Sequence, residues 1–420
     1  MKTIDDIQHF DFDTVPVDTG WNFPCEKELK IHRIHAYPAK FPAFVTTKAI
    51  EYARKEQLKT NAIADIFCGC GTTAFEAKRN NINYWGCDIN PVATMIARVK
   101  SKKYQLLRLQ KYYQSILDEY ENSQKSNEYE NANERLKYWY TESQYNNLAH
   151  LKSVILKITP NESEYCYFFL CAFSNILKAS SKWLTKSIKP QVDPNKKILD
   201  VYSLFKTQCQ AMFTANDETQ SMNSSKTEIV TGNFLDNQWN IPTVDMIITS
   251  PPYVTSYEYA DLHQLSTLWL GFTDNYKKLR DGTIGSCYHE YEFKDEISEL
   301  NHTGENIVSQ LMKHQKSKAK SVAKYYLDMQ KVAKKVYAIL DKQGIALFVI
   351  GNTEYKGIRI DNVRHLAESL SNSGFEKICV TKRKISGKIL TPYRDANGRF
   401  TNDSSGRKIY SEEFILVGRK

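Results

Sequence analysis

At 420 residues the chain has interior enough for one large α/β domain or two ordinary ones. Its formal net charge of +9 comes from one end: residues 301–420 hold 23 Lys and Arg against 11 Asp and Glu, while the first 300 hold 34 against 37, an imbalance expected of a polyanion-binding protein. No apolar run is long enough to span a bilayer, the polar start Met1-Lys2-Thr3-Ile4-Asp5-Asp6 lacks a signal-peptide core, and nine cysteines without paired ligand spacing fit a reducing, cytoplasmic setting with free thiols and no metal.

Residues 1–30 carry Trp21 and Phe23 as candidate anchors, and Cys25 is read as structural. His32-Arg33-Ile34-His35-Ala36-Tyr37-Pro38-Ala39-Lys40-Phe41-Pro42 is an aromatic and basic loop framed by prolines, ahead of a helix at 43–57. Ala62-Ile63-Ala64-Asp65-Ile66-Phe67-Cys68-Gly69-Cys70-Gly71-Thr72-Thr73 then reads as a strand running into a glycine turn, followed by a helix from Ala74 to about Asn80. Glycine lets the backbone approach a ligand and supplies a positive φ where the turn needs one. A second strand, Ile82 to Asn90, brings the acid Asp88 about twenty residues on, the spacing at which a carboxylate meets a ribose hydroxyl. With no third glycine for a pyrophosphate, and with Asp65 in the lead-in, the pattern suits a cationic, phosphate-free nucleoside; a nicotinamide-type Rossmann site is the alternative for this segment.

Residues 101–227 change character. Lys103 to Lys125, Glu134 to Ile158, Glu164 to Ser181 and Ile198 to Thr214 read as helices, with a polar linker at 216–226. The strand pattern resumes at Glu228 to Leu235, ending Gly232-Asn233-Phe234. Val244-Asp245-Met246-Ile247-Ile248-Thr249 is a buried strand that Ser250-Pro251-Pro252-Tyr253 stops at once, because consecutive prolines cannot donate to a ladder. That turn sets a hydroxyl, stiff carbonyls and an aromatic face at the carboxyl edge of the sheet, where α/β proteins bind ligands. Beyond it come a helix bearing Leu265, Leu268 and Trp269, an amphipathic helix at 321–340, a strand at Gly344–Gly351 and two closing strands, 375–382 and 413–417. Between those two, Lys382, Arg383, Lys384, Lys388, Arg394, Arg399, Arg407 and Lys408 form a basic loop with few acids, suited to phosphate contact.

Thr249-Ser250-Pro251-Pro252-Tyr253, preceded in order by the proline-framed loop, the glycine turn, the ribose acid and Gly232-Asn233, resembles the amino-methylating DNA methyltransferases of the Ser-Pro-Pro-Tyr type, the N4-cytosine and N6-adenine family. The resemblance implies an α/β, Rossmann-like S-adenosylmethionine-dependent methyltransferase fold with a mixed seven-stranded sheet. Residues 1–100 and 228–420 would form the catalytic domain and 101–227 a helical insertion, a candidate DNA-recognition subdomain. It implies S-adenosyl-L-methionine as cofactor: Tyr37, Lys40 and Phe41 closing over its methionine end, Asp65, Phe67, Gly69, Gly71 and Thr72 about the amino acid moiety, Asp88 and Ile89 at the ribose, and Asn233 and Phe234 at the adenine. Ser250 and the Pro251 carbonyl become acceptors for the target amine, Pro252 the stiffener and Tyr253 the platform for a flipped base, with Tyr257 or Trp269 filling the space beside a small pyrimidine. The partner implied is double-stranded DNA, with a cognate restriction endonuclease a candidate second partner. The favoured product is N4-methylcytosine. N6-adenine methylation, RNA or protein methylation and a catalytically silent DNA-binding protein are the alternatives.

Overall fold

The computed structural model describes the chain except residues 24–26, 39, 126, 221, 223–224, 237, 255–258, 285–292, 386–392, 395–399, 402, 404–406 and 409–410, and except the side chains of 294–295, 393–394, 400 and 407–408. A two-residue strand β1 (Lys2–Thr3) comes first, then α1 (Ala43–Lys55), β2 (Ala62–Asp65), α2 (Thr72–Arg79), β3 (Asn83–Asp88) and α3 (Pro91–Lys100). The helices α4 (Leu106–Asn122), α5 (Glu134–Trp139), α6 (Glu142–Ile158), α7 (Glu164–Ile176) and α8 (Val201–Asp217) follow before β4 (Thr227–Thr231) and β5 (Val244–Thr249). Next come α9 (Tyr259–Leu262), α10 (Gln264–Trp269), α11 (Phe293–Glu296), α12 (His302–Met312) and α13 (Lys316–Ile339), leading into the long strand β6 (Leu340–Ile350). A hairpin of β7 (Thr353–Tyr355) and β8 (Ile358–Ile360), α14 (Asn362–Asn372), β9 (Lys377–Lys384), the short strands β10 (Tyr393–Arg394), β11 (Phe400–Thr401) and β12 (Arg407–Lys408), and β13 (Glu412–Arg419) complete it.

The main sheet runs β1-β9-β13-β6-β5-β2-β3-β4. From β4 to β6 all neighbours are parallel, and β13 lies antiparallel between β6 and β9. This is the mixed sheet expected of the methyltransferase fold, with β1 added at the edge. Parallel strands covered on both faces are apolar throughout, and here alternate residues serve two layers. Ile63, Met246, Ile248, Leu347 and Val417 pack with Val45, Ala49 and Ala74 of α1 and α2, whereas Ala64, Ile247, Phe348 and Leu416 pack with Val332, Val336 and Leu366 of α13 and α14. The chain steps outward from β2 to β3 and β4, then returns to β5 on the other side of β2. That reversal opens a crevice above the carboxyl ends of β2 and β5.

The helices of 101–227 have no core of their own. Phe169, Phe173, Leu148 and Phe205 share one apolar cluster with Val92 and Ile96 of α3, Ile31 and Ile34 of the loop before α1, and Leu265 and Trp269 of α10. Trp269 stands among Tyr140, Tyr145 and Phe173, ring centroids 5.8, 4.7 and 5.8 Å away. The segment expected as one helix from Glu134 to Ile158 is two. Tyr140 is extended, and Thr141 and Gln144 form a reciprocal capping box that restarts the helix. We predict that Phe173→Ala, fully buried in this shared cluster, lowers stability by about 3–5 kcal/mol. The loss should shift a single unfolding transition followed by both circular dichroism and tryptophan fluorescence; a separate early transition would mean that the insertion folds alone.

Candidate active site

The crevice is built from the two loops that leave β2 and β5. After β2, Gly69 and Gly71 take positive φ of 47° and 75° for different reasons. A side chain at Gly71 would sit 2.5 Å from Ala97 Cβ, so this glycine lets α3 pack against the turn. At Gly69 the neighbour is the Tyr37 ring, 3.5 Å from a built Cβ. Gly71 caps α2 without a side chain, which leaves the first-turn N–H groups of that helix facing the crevice for a carboxylate. Beside them the Thr72 hydroxyl is buried without a partner.

Two carboxylates flank the turn. Asp88 accepts from the N–H groups of Gly69 and Asn90, each at 2.9 Å. Asp65 accepts from the Thr249 hydroxyl at 2.7 Å and from the Phe67 N–H at 3.2 Å. Burial pushes both acids up to about 6, against the opposing pull of these hydrogen bonds. Two acids held reluctantly ionised in one crevice suit a ligand that brings hydroxyls and a positive charge, which is what S-adenosylmethionine offers.

At the end of β5 the Ser250 hydroxyl donates to the Val349 carbonyl at 3.0 Å. Tyr253 donates its hydroxyl to Glu413 Oε1 at 2.8 Å, and Arg383 donates Nε to Glu413 Oε2 at 3.0 Å. Gly351, just past β6, lies against the Tyr253 ring, a built Cβ being 3.6 Å from Cζ. Tyr37 stacks on His263 with centroids 5.0 Å apart, and burial holds that imidazole neutral by pulling its pKa down to about 3.

Over residues 8–99 the sequence matches the family of N6 and N4 DNA methylases. The Type II methyltransferase M.MvaI of Kocuria varians is 23% identical over 423 residues, covering 93% of this chain and 91% of its own. M.BsoBI of Geobacillus stearothermophilus, also a Type II methyltransferase, is 26% identical over 66% of this chain and 60% of its own. Residues 8–99 thus carry the mark of the amino-methylating DNA methylase family, and the Type II relatives extend the likeness along the chain. Among solved structures, the rRNA methyltransferase aviRa from Streptomyces viridochromogenes covers 93% of this chain and 91% of its own at 9% identity, with a TM-score of 0.27, too slight a likeness to carry any argument. Among the described residues no helix is long and apolar enough to cross a membrane.

The structure brings Tyr37, Asp65, Gly69, Thr72, Asp88 and Ser250 to one crevice. Asn233 joins its rim: the side chain accepts from Leu235 N–H at 2.9 Å and donates to the Gly282 carbonyl at 3.1 Å, and Ile89 also lies against Gly282. Phe41 and Phe67 are partly buried against the two core layers. Other expectations need correction. The Lys40 ammonium is committed to both oxygens of Glu28 and to the His32 carbonyl, each at 3.0 Å, so it latches its own loop. Phe234 is 2% exposed, packed in the core under the Lys335 ammonium, and has no free face for adenine. Trp269 fills the helical cluster, and Tyr257 lies outside the described residues.

The largest correction concerns the basic loop. Lys382 and Arg383 are 6% and 3% exposed near the carboxyl end of β9, consecutive residues on opposite faces of the sheet. Lys382 donates to the Asp13 carbonyl at 2.8 Å, and Arg383 holds Glu413 and lies over Phe44. Among the described basic side chains of that loop only Lys384 is exposed; Lys388 and Arg399 and the side chains of Arg394, Arg407 and Lys408 lie outside the described residues. Glu413, Thr249 and His263 are site residues to which no sequence pattern assigns a role.

Because both crevice acids titrate near 6, S-adenosylhomocysteine affinity should be constant above about pH 7 and fall as pH drops through 6, by up to about tenfold per pH unit for each acid that must ionise. Stability of the free protein has the opposite sign. These acids are raised above their unfolded values, so the folded state gains as pH falls from about 6 toward 4. Calorimetric titration and thermal unfolding across that range check both, and a pH-independent affinity would remove Asp65 and Asp88 from the binding site. For Arg383→Ala we predict a loss of about 3–5 kcal/mol in denaturant unfolding, since it strands the Glu413 carboxylate, in place of a change in DNA affinity.

Proposed function

We propose that this DNA methyltransferase is site-specific and methylates the exocyclic N4 amine of a cytosine flipped out of the duplex. The observation that carries the reading is the Ser250 hydroxyl at the carboxyl end of β5. Its hydrogen is directed at the Val349 carbonyl, so the oxygen meets an incoming amine as an acceptor. An exocyclic amine is a poor nucleophile because its lone pair is delocalised into the ring. Ser250 Oγ accepting one N–H, and the Pro251 carbonyl the other, draw the nitrogen toward tetrahedral geometry and turn the lone pair out of the ring plane. S-adenosylmethionine, when bound, supplies an electrophilic methyl group on a sulfonium leaving group, so no covalent enzyme intermediate is required.

Asp65, Asp88, Thr72 and the first turn of α2 would hold that cofactor. Tyr253, its hydroxyl tied to Glu413, offers a ring on which a flipped base stacks, and Pro252 stiffens the turn between them. The amine is out of reach inside a duplex, which requires extrusion of the nucleotide. Cytosine is favoured over adenine because the Ser-Pro-Pro-Tyr form is the one associated with N4 enzymes. The Type II relatives support a restriction–modification setting, with a cognate endonuclease as partner.

The test is nucleoside mass spectrometry of duplex DNA methylated by the purified protein. N4-methylcytosine is expected, N6-methyladenine would overturn the base assignment, and 5-methylcytosine or methylation of RNA alone would overturn the mechanism or the substrate. Ser250→Ala should lower kcat by about 10²–10⁴-fold at unchanged cofactor affinity.

A further inference from the structure

With Lys382 and Arg383 buried, the basic surplus of the last 120 residues has to be sought elsewhere. Between positions 313 and 324 the sequence places Lys313, Lys316, Lys318, Lys320 and Lys324 with no acid among them. These residues form the turn from α12 into α13 and the first half of α13. Because α13 feeds the amino end of β6, its own amino end lies at the opposite, carboxyl edge of the sheet, the edge at which Ser250 leaves β5. Lys313, Lys316 and Lys320 are exposed there.

A second element meets them. The chain leaving β6 passes Gly351, against the Tyr253 ring, and enters the β7–β8 hairpin at once. Its two-residue turn, Lys356-Gly357, has positive φ at both positions, 48° and 80°, the tight hairpin form that matches strand twist, and it holds Lys356 exposed at the tip. Tyr355, one residue before, hydrogen-bonds through its hydroxyl to Gln315 in the α12–α13 turn. Its ring lies 5.1 Å from the Lys318 ammonium and 5.7 Å from that of Lys356. Hairpin and turn are therefore one ledge. Lys356 is five residues from Gly351, so its Cα lies within about 17 Å of the residue touching Tyr253. On B-DNA that span carries roughly ten phosphate charges.

We propose that this lysine ledge, the α12–α13 turn with the tip of the β7–β8 hairpin, grips the duplex backbone flanking the target base. The proposal rests on the reading of the protein as a DNA methyltransferase. Lysines act there as point charges on phosphates, setting affinity and register without reading sequence.

The experiment compares K313Q/K316Q/K356Q with a control, K55Q/K334Q/K342Q, which removes the same charge from exposed lysines toward the opposite edge of the sheet. Duplex binding is followed by fluorescence anisotropy over a series of salt concentrations with S-adenosylhomocysteine present. The slope of log K against log salt should fall by up to about 0.9 for each phosphate that the ledge variant no longer neutralises, and stay at the wild-type value in the control. Unchanged S-adenosylhomocysteine affinity in the ledge variant shows that it folds. A wild-type slope in the ledge variant, or an equal fall in the control, overturns the ledge while DNA methylation by the wild type leaves the functional reading standing. A wild type that neither binds nor methylates duplex DNA overturns both.

Discussion

The hydrogen bond from Thr249 to Asp65, 2.7 Å long and buried, joins the ends of two strands that lie 184 residues apart in the chain. Everything chemical in the protein hangs on that neighbourhood. β2 delivers the glycine turn and β5 delivers Ser250 to the crevice, and they are side by side only because the strand order reverses between them. Register makes the meeting strict. Ile63 pairs with Met246 and Ala64 with Ile247, and a one-residue slip would turn Thr249 to the other face. The same bond sets the electrostatics, since a hydroxyl offsets only part of what burial costs the Asp65 carboxylate. The crevice is thus prepared for a positive ligand before one arrives.

Local patterns carried much of this in the sequence. A strand stopped by two prolines, a glycine turn between strand and helix, and an acid ending the next strand are all short-range signals, and the elements stand within a few residues of where periodicity puts them. What could not be read were partners distant in the chain. Glu413 lies 160 residues from Tyr253, in a closing strand whose sequence says only that it is a strand. The burial of Lys382 and Arg383 was invisible for the same reason. A basic run reads as solvated surface because charges are rarely buried unpaired. The partners that reverse the reading here, Asp13 and Glu413, come from the two ends of the molecule. Phe234 failed differently: the strand-end pattern located the residue but not the direction of its side chain, which turns under Lys335.

Arg383 changes meaning once placed. Its guanidinium, pinned between Glu413 and the Phe44 ring and donating to the Trp21 carbonyl, is the inner end of a chain that runs through Glu413 to the Tyr253 hydroxyl. A carboxylate held from behind by a buried arginine has little freedom to follow its partner, so the tyrosine ring inherits the rigidity of the sheet. That suits the stacking platform proposed above, which has to hold a planar ligand in one orientation.

The far side of the catalytic loop is fixed by different means. α10, which follows it, gives Trp269 to the core of the inserted helices, and its Gln264 side-chain carbonyl accepts from Trp139 Nε1 at 3.0 Å and from Arg135 Nε at 2.5 Å. At the start of α10, His263 stacks under Tyr37, which itself covers Gly69 of the cofactor turn. The segment from Ser250 to His263 is therefore anchored at both ends, to the sheet through Tyr253 and to the insertion through α10. Ordering such a segment is a cost that would otherwise fall on substrate binding, at roughly 0.5–1.5 kcal/mol for each side chain immobilised. With the ends held by the fold, less of that cost falls on the DNA. The insertion buttresses that segment, because α10, packed into the core of the inserted helices, fixes the end of it farther from Ser250.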